Sequence, residues 1–308
     1  MRVKVSSNTD DDAVLICYQR SRTAGLLHRY AFRMSHHIDT KKVGNVYWIR
    51  FNRPEKYNAI SSEMYRDLIT AFEEAENDQE ILITVLTGNG KYYSAGSDFS
   101  FAELEHMREN DEEPLYKQWV DKIIRHSKLL MALINGPAIG VACTTLALCD
   151  VVLASDQMFL MPKKIQPQSE LIKLLALFTQ AYFHCPFTDL GLNPEGASSY
   201  TFVQIMGYQK AVRLALLAEK MSAHEACDAG LVTKVIPQAR FEKETIELIT
   251  KYSKLAHQSV IVSKRLLRTS HIVDDLLTIN RKECEVLMKQ FTSDETIERM
   301  TSKFLSKI

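Results

Sequence analysis

The first strong period along the chain is that of a strand. Val46, Trp48 and Arg50 alternate with Tyr47, Ile49 and Phe51 in a β-branched and aromatic stretch. Asn52-Arg53-Pro54 ends it, because proline lacks a donor and restricts its predecessor. The period then changes. Met64, Leu68, Ala71, Phe72 and Ala75 share one helical face, with Ser61 or Ser62 as the cap. Short continuous apolar runs at 81–86, 130–134 and 151–154 have the pattern of strands buried on both faces. Between them lie the turn Thr87-Gly88-Asn89-Gly90, a Gly-containing segment at 93–99 and a charged helical region over 101–130. Asn135-Gly136-Pro137 breaks the second run, and 140–148 is a small-residue helix. Beyond residue 200 the chain turns mostly helical. Ser222-Ala223-His224-Glu225 has the spacing of a capping box closed by Gly230, 231–236 is a last strand, and only helices follow residue 242. Strands alternating with helices predict an α/β fold with parallel pairing.

Composition narrows this picture. Lys plus Arg and Asp plus Glu both number 38 in 308 residues, so no basic excess supports general nucleic-acid binding. No apolar run is long enough to span a membrane. Six scattered cysteines form no CxxC pair, and nine histidines show no metal-ligand spacing, so neither a disulfide framework nor a metal site is expected. There is no internal repeat and no marked linker. The domain plan is an extension at 1–33, a core at 34–240 and a helical region at 241–308. The extension has an acidic run, Asp10 to Asp12, and then the arginines 20, 22, 29 and 33 with no acid among them. It is read as disordered or targeting, with Met34 as an alternative start.

No phosphate-cradling glycine loop and no GxSxG nucleophile elbow is present. Two glycine-bearing segments follow strands instead: Ser94-Ala95-Gly96-Ser97-Asp98 and Asn135-Gly136-Pro137-Ala138-Ile139-Gly140-Val141. Small residues expose backbone amides, and two amides aimed at one oxygen make an oxyanion hole. A tight strand–helix turn uses the same residues, so spacing leaves both readings open.

Residues 46–236 resemble the crotonase (enoyl-CoA hydratase/isomerase) superfamily. The resemblance rests on Arg53-Pro54-Glu55-Lys56-Tyr57-Asn58-Ala59, Thr87-Gly88-Asn89-Gly90, Ser94 to Asp98, Asn135 to Gly140, Cys149-Asp150, Ala154-Ser155-Asp156 and Gly230-Leu231-Val232, all in the family's order. Pro186-Phe187, Leu190-Gly191, Pro194-Glu195-Gly196 and Ser198-Ser199-Tyr200-Thr201-Phe202 resemble the peroxisomal-type Δ3,Δ2-enoyl-CoA isomerase branch.

The resemblance implies a spiral of ββα units with a helical C-terminal trimerisation region, acting on an acyl-CoA thioester. By motif position the oxyanion amides fall on Ala95 and Val141, where Val141 replaces the glycine common in hydratases. Ser94, Ala95, Gly96, Ser97, Asp98 and Gly140 would line the substrate site, and Lys56 would lie near the CoA entrance. Asp98 is expected to bond turn amides. Hydration needs two carboxylates. Thr144 stands in place of the first, and the second is absent unless Asp189 is shifted into it. Glu195 matches the isomerase acid, which implies one base moving a proton from C2 to C4. The alternatives are hydratase or another crotonase reaction, or a catalytically silent acyl-CoA-binding subunit. CoA belongs to the substrate, and no other cofactor is implied. The assembly implied is a homotrimer or a dimer of trimers. Ser306-Lys307-Ile308 resembles the peroxisomal Ser-Lys-Leu address, which implies an import receptor and the peroxisomal matrix, with mitochondria as the alternative. One departure stands out: residues 158–180 separate Asp156-Gln157 from Phe183-His184-Cys185-Pro186-Phe187, which the family joins almost directly. That insert is either a surface excursion such as a lid or a retained intron or gene-model error.

Overall fold

A computed structural model describes residues 37–98, 113–156 and 181–302, and the backbone alone of residues 2–7, 13–20, 27–34 and 303–305. The insert at 158–180, the region 101–112 and Ser306-Lys307-Ile308 lie outside the described residues.

The central sheet is built from β4 (Ile38–Val43), β5 (Val46–Phe51), β6 (Ile83–Gly88), β7 (Leu129–Ile134), β9 (Val151–Ser155) and β12 (Lys234–Ile236), adjacent in that order. The β4–β5 pair is antiparallel and every later pair is parallel. Ahead of β4, the stretch read as an extension takes strand backbone at β1 (Arg2–Ser7), β2 (Ala13–Arg20) and β3 (Leu27–Met34), an antiparallel meander on the β4 edge.

The continuous apolar runs arise because the sheet is covered on both sides. Ile49, Phe51, Leu86, Leu130, Ala132, Ile134, Val152 and Ala154 join one core, which includes α1 (Ser62–Asn77) and α2 (Leu115–Arg125). Ile83, Val85, Met131, Leu133 and Leu153 join a second core with Phe241 and Ile249 of α7 (Gln238–Tyr252). With both faces dry, alternation vanishes from the sequence. In α1 the expected face, Met64, Leu68, Ala71, Phe72 and Ala75, is buried, and Ser61 accepts from Met64 N.

A second, three-stranded sheet orders β11 (Met221–Ser222), β10 (Tyr182–His184) and β8 (Ala138–Ile139). The expected helix over 140–148 is shorter: α3 (Val141–Thr144) runs into a 3₁₀ turn at Thr145–Leu148. The remaining helices are α4 (Ser198–Met206), α5 (Tyr208–Ala215), α6 (Ala223–Asp228), α8 (His257–Leu267), α9 (Ser270–Gln290) and α10 (Asp294–Leu305). Ser222 and Glu225 form the expected capping box at α6. α8 is tied to the sheet by Lys264, whose buried ammonium donates to Asp150 and to the Lys128 carbonyl, each at 2.6 Å.

Candidate active site

The two glycine-bearing segments meet where the parallel strands end. Ser94 bridges Ala138, and Ile139 N donates to Ser94 O at 3.0 Å. Gly96 allows this approach. Its φ is +87°, and a Cβ there would stand 2.7 Å from Ile139 O. Gly140 is next, with its N–H on His184 O at 2.9 Å, and it precedes α3.

A cavity of about 490 Å³ opens over this junction. Ala95, Gly96, Ser97, Asp98, Ile139 and Gly140 form its floor, with Glu195 beside them. Tyr57, Tyr92 and His184 line it as well, and Leu287, Phe291 and Met300 from the C-terminal helices add apolar wall.

Backbone hydrogen bonding decides which amides face a ligand. Ala95, expected as an oxyanion amide, donates to Tyr57 O at 3.0 Å, so its N–H is committed to the scaffold. Gly96 N donates to Ser94 Oγ at 3.1 Å. Gly96 O and Asp98 N both pair with Ile60. Across a trans peptide the C=O and the following N–H point to opposite sides. Ser97 N–H therefore points away from Ile60, and the residue lines the cavity. Among the described residues the amide that remains on this side of the site is that of Ser97, whereas the Ala95 N–H is taken by Tyr57 O. Its hydroxyl is fixed 2.6 Å from the buried Tyr65 hydroxyl.

Val141, fully buried, meets its expectation differently: its N–H donates to the Glu195 carboxylate. Glu195 is 5% exposed, and burial pushes its carboxyl up to about 8. The like charge of Glu283 adds to the rise, and the Val141 amide pulls it back. Its Oε1 lies 4.0 Å from where a Gly140 Cβ would stand.

Other expected site residues sit elsewhere. Ser94 is fully buried, donating to Asn58 O at 2.7 Å, and supports the loop from behind. Asp98 lines the cavity but pairs with Arg53 Nη1 at 2.5 Å, not with the expected turn amides. Lys56 is exposed on the 3₁₀ turn Pro54–Lys56 and does not line the cavity. Thr144 is buried, with its Oγ1 2.6 Å from where a Gly196 Cβ would be, and Asp189 is exposed. Neither site of a second carboxylate is filled. The residues missed from sequence are Tyr65, the cavity wall on α9 and α10, and Glu283. The last carried a signal: Leu276, Asn280, Glu283, Cys284 and Leu287 share the buried helical face, a face where a glutamate is out of place.

A mainly parallel α/β fold thus brings a buried carboxylate, the Val141 amide that donates to it and the cavity-lining Ser97 to one junction. The chain belongs to the enoyl-CoA hydratase/isomerase family, whose model matches residues 41–166 and 174–307. It is 38% identical over 264 residues to human enoyl-CoA delta isomerase 2, covering 84% of this chain and 60% of that protein. To mouse enoyl-CoA delta isomerase 3, peroxisomal, it is 37% identical over 252 residues, covering 80% and 71%. An enoyl-CoA hydratase/isomerase structure from Pseudoalteromonas atlantica superimposes with a TM-score of 0.74 at 29% identity, covering 87% of this chain and 97% of that one. The chain thus spans less than two thirds of the human relative's length. The crotonase-type fold expected from the motifs is the one observed.

Proposed function

We propose that the protein is a Δ3,Δ2-enoyl-CoA isomerase in which Glu195 is the only base. The observation that carries this is that Glu195 is, among the described residues, the one buried carboxylate lining the cavity, beside the Val141 amide and the Ser97 segment, with both positions of a hydratase-type second acid unfilled. The thioester oxygen accepts from Ser97 N–H and Val141 N–H. Glu195 takes a proton from C2, and the electron pair moves through C2 onto the carbonyl oxygen to give a dienolate. The same carboxyl then returns the proton at C4, so the double bond shifts from C3–C4 to C2–C3 and no atom is gained or lost. An oxyanion donor of this kind is worth about 3–4 kcal/mol.

The free site adds a coupling. Val141 N–H rests on Glu195 until the thioester oxygen displaces it. Losing that hydrogen bond makes Glu195 a stronger base as the substrate arrives. Two further features belong to this reading: a peroxisomal address at Ser306-Lys307-Ile308, supported by the mouse relative's description, and trimer formation, supported by the exposed Leu216, Leu217, Leu266 and Leu267.

The test is conversion of a 3-enoyl-CoA to its 2-enoyl isomer by the purified protein. Glu195→Gln is expected to lose ~10²–10⁴-fold in kcat. Full activity in that variant removes Glu195 as the base. Absence of turnover in the wild type, with CoA-ester binding retained, replaces the isomerase by a silent binding protein.

A further inference from the structure

Glu195 sits on a backbone that does not favour its own shape. Gly196 has φ +71° and Ala197 φ +61°. An L residue in the left-handed region costs roughly 1–2 kcal/mol, so something must keep Ala197 there. That something arrives from far along the chain. Glu283 of α9, 7% exposed, accepts from Ala197 N at 2.6 Å and from Ser199 N at 2.8 Å. Its backbone carbonyl accepts from Asn193 Nδ2 at 3.1 Å. One residue thus grips the chain on both sides of Glu195.

We propose that Glu283 is the positioning residue of the base: its carboxylate locks the left-handed turn that aims Glu195 at the cavity and sets a second negative charge beside it. The inference rests on Glu195 being the base.

The titratable groups facing Glu195 come from several elements: Tyr65 on α1, Tyr116 on α2, Cys185 after β10, and Cys284 with Glu283 on α9. Burial pushes both tyrosines and both thiols upward, so they stay neutral near pH 7. Burial also raises Glu283, to about 7, while the Ser199 hydroxyl, the Ser199 amide and the Ala197 amide oppose the rise. In this set Glu283 is the neighbour whose ionisation Glu195 feels, and the two carboxyls titrate as a pair.

The experiment uses the full chain in two variants, with two readouts. Carboxyl ¹³C NMR follows Glu195 directly, assigned through Glu195→Gln, and needs no turnover. The kcat/KM profile against pH reads the same group through activity. Glu283→Gln is expected to lower the Glu195 midpoint by about 1 unit as a like charge is removed. It is also expected to lower kcat ~10–100-fold through misplacement of the base. KM should change little. Glu283→Asp keeps the charge one methylene short. Its midpoint is expected to stay within ~0.3 unit, with a smaller kcat loss than in the glutamine variant. An unmoved midpoint in Glu283→Gln overturns the inference, as does unchanged kcat. If the glutamine variant does not fold, the aspartate variant carries the test, and wild-type kcat there overturns it. A protein that does not isomerise, yet whose Glu195 midpoint falls in Glu283→Gln, refutes the isomerase reading and supports the clamp.

Discussion

Gly96→Ala tests whether the active-site floor depends on backbone touching backbone. At φ +87° an alanine pays roughly 1–2 kcal/mol for the left-handed region. The new Cβ also lands 2.7 Å from Ile139 O, 3.4 Å from Ile139 C and 3.6 Å from Gly140 Cα. These are backbone atoms of the opposite segment, so no side chain can swing aside. Overpacking of this kind costs ~1–3 kcal/mol, for a total of roughly 2–5 kcal/mol. The control is Gly44→Ala. Gly44 has φ +60° and nothing within 4 Å, so it pays the strain without the contact. Any gain from a stiffer unfolded chain enters both variants and cancels in the difference. Urea unfolding followed by the fluorescence of the buried Trp119 measures the cost. Gly96→Ala should be less stable than Gly44→Ala by ~1–3 kcal/mol. The clash also pushes Ile139 and Gly140 away from Ser97, parting the two amides. At a misplacement approaching 1 Å the loss in kcat/KM is ~10²-fold. Equal stability of the two variants, with isomerase activity intact in Gly96→Ala, would refute the close-contact argument.

Three further outcomes follow from buried charge. The kcat/KM of the wild type should climb tenfold per pH unit from pH 6 and level off near 8, where Glu195 ionises; a flat profile excludes Glu195 as the titrating base. Because the folded protein holds that proton above the ordinary carboxylate range, it binds more protons than the unfolded chain between about 4.5 and 8, and stability falls as pH rises through that window. Glu195→Gln should raise the unfolding temperature at pH 8 and flatten that fall, and an unchanged slope counts against the buried carboxyl. Asp150→Asn leaves the buried Lys264 ammonium without its carboxylate and should cost ~3–5 kcal/mol in urea melts, with much of the loss recovered in Lys264→Met/Asp150→Asn; strict additivity of the two changes would show no coupling.

Much of the scaffold is written locally. The helical face of α1, its Ser61 cap and the Ser222–Glu225 capping box depend on neighbours three or four residues away, which sequence displays. The runs that became β6, β7 and β9 are apolar enough to identify themselves, though not which face meets which helix. The two-residue strand β8 carries no pattern of its own, because its pairing with Phe183 and His184 is set by distant chain. Glu195 was legible only through its motif; nothing in Pro194-Glu195-Gly196 by itself separates a base from a surface glutamate.

The sequence by itself determined the α/β order and the two glycine-bearing segments. Tertiary structure alone decided which N–H is free. Motif position pointed to Ala95, and Ser97 lies only two residues further on. Tyr57 O takes the first amide, and pairing with Ile60 turns the second toward the cavity. The same holds for the proposed base. Glu195 holds its proton up to about 8 because the folded chain buries it and Glu283 adds its charge, across a sequence separation that no local pattern encodes. Hydrogen-bond direction and desolvation are properties of what surrounds a group, and those surroundings exist only once the chain has folded.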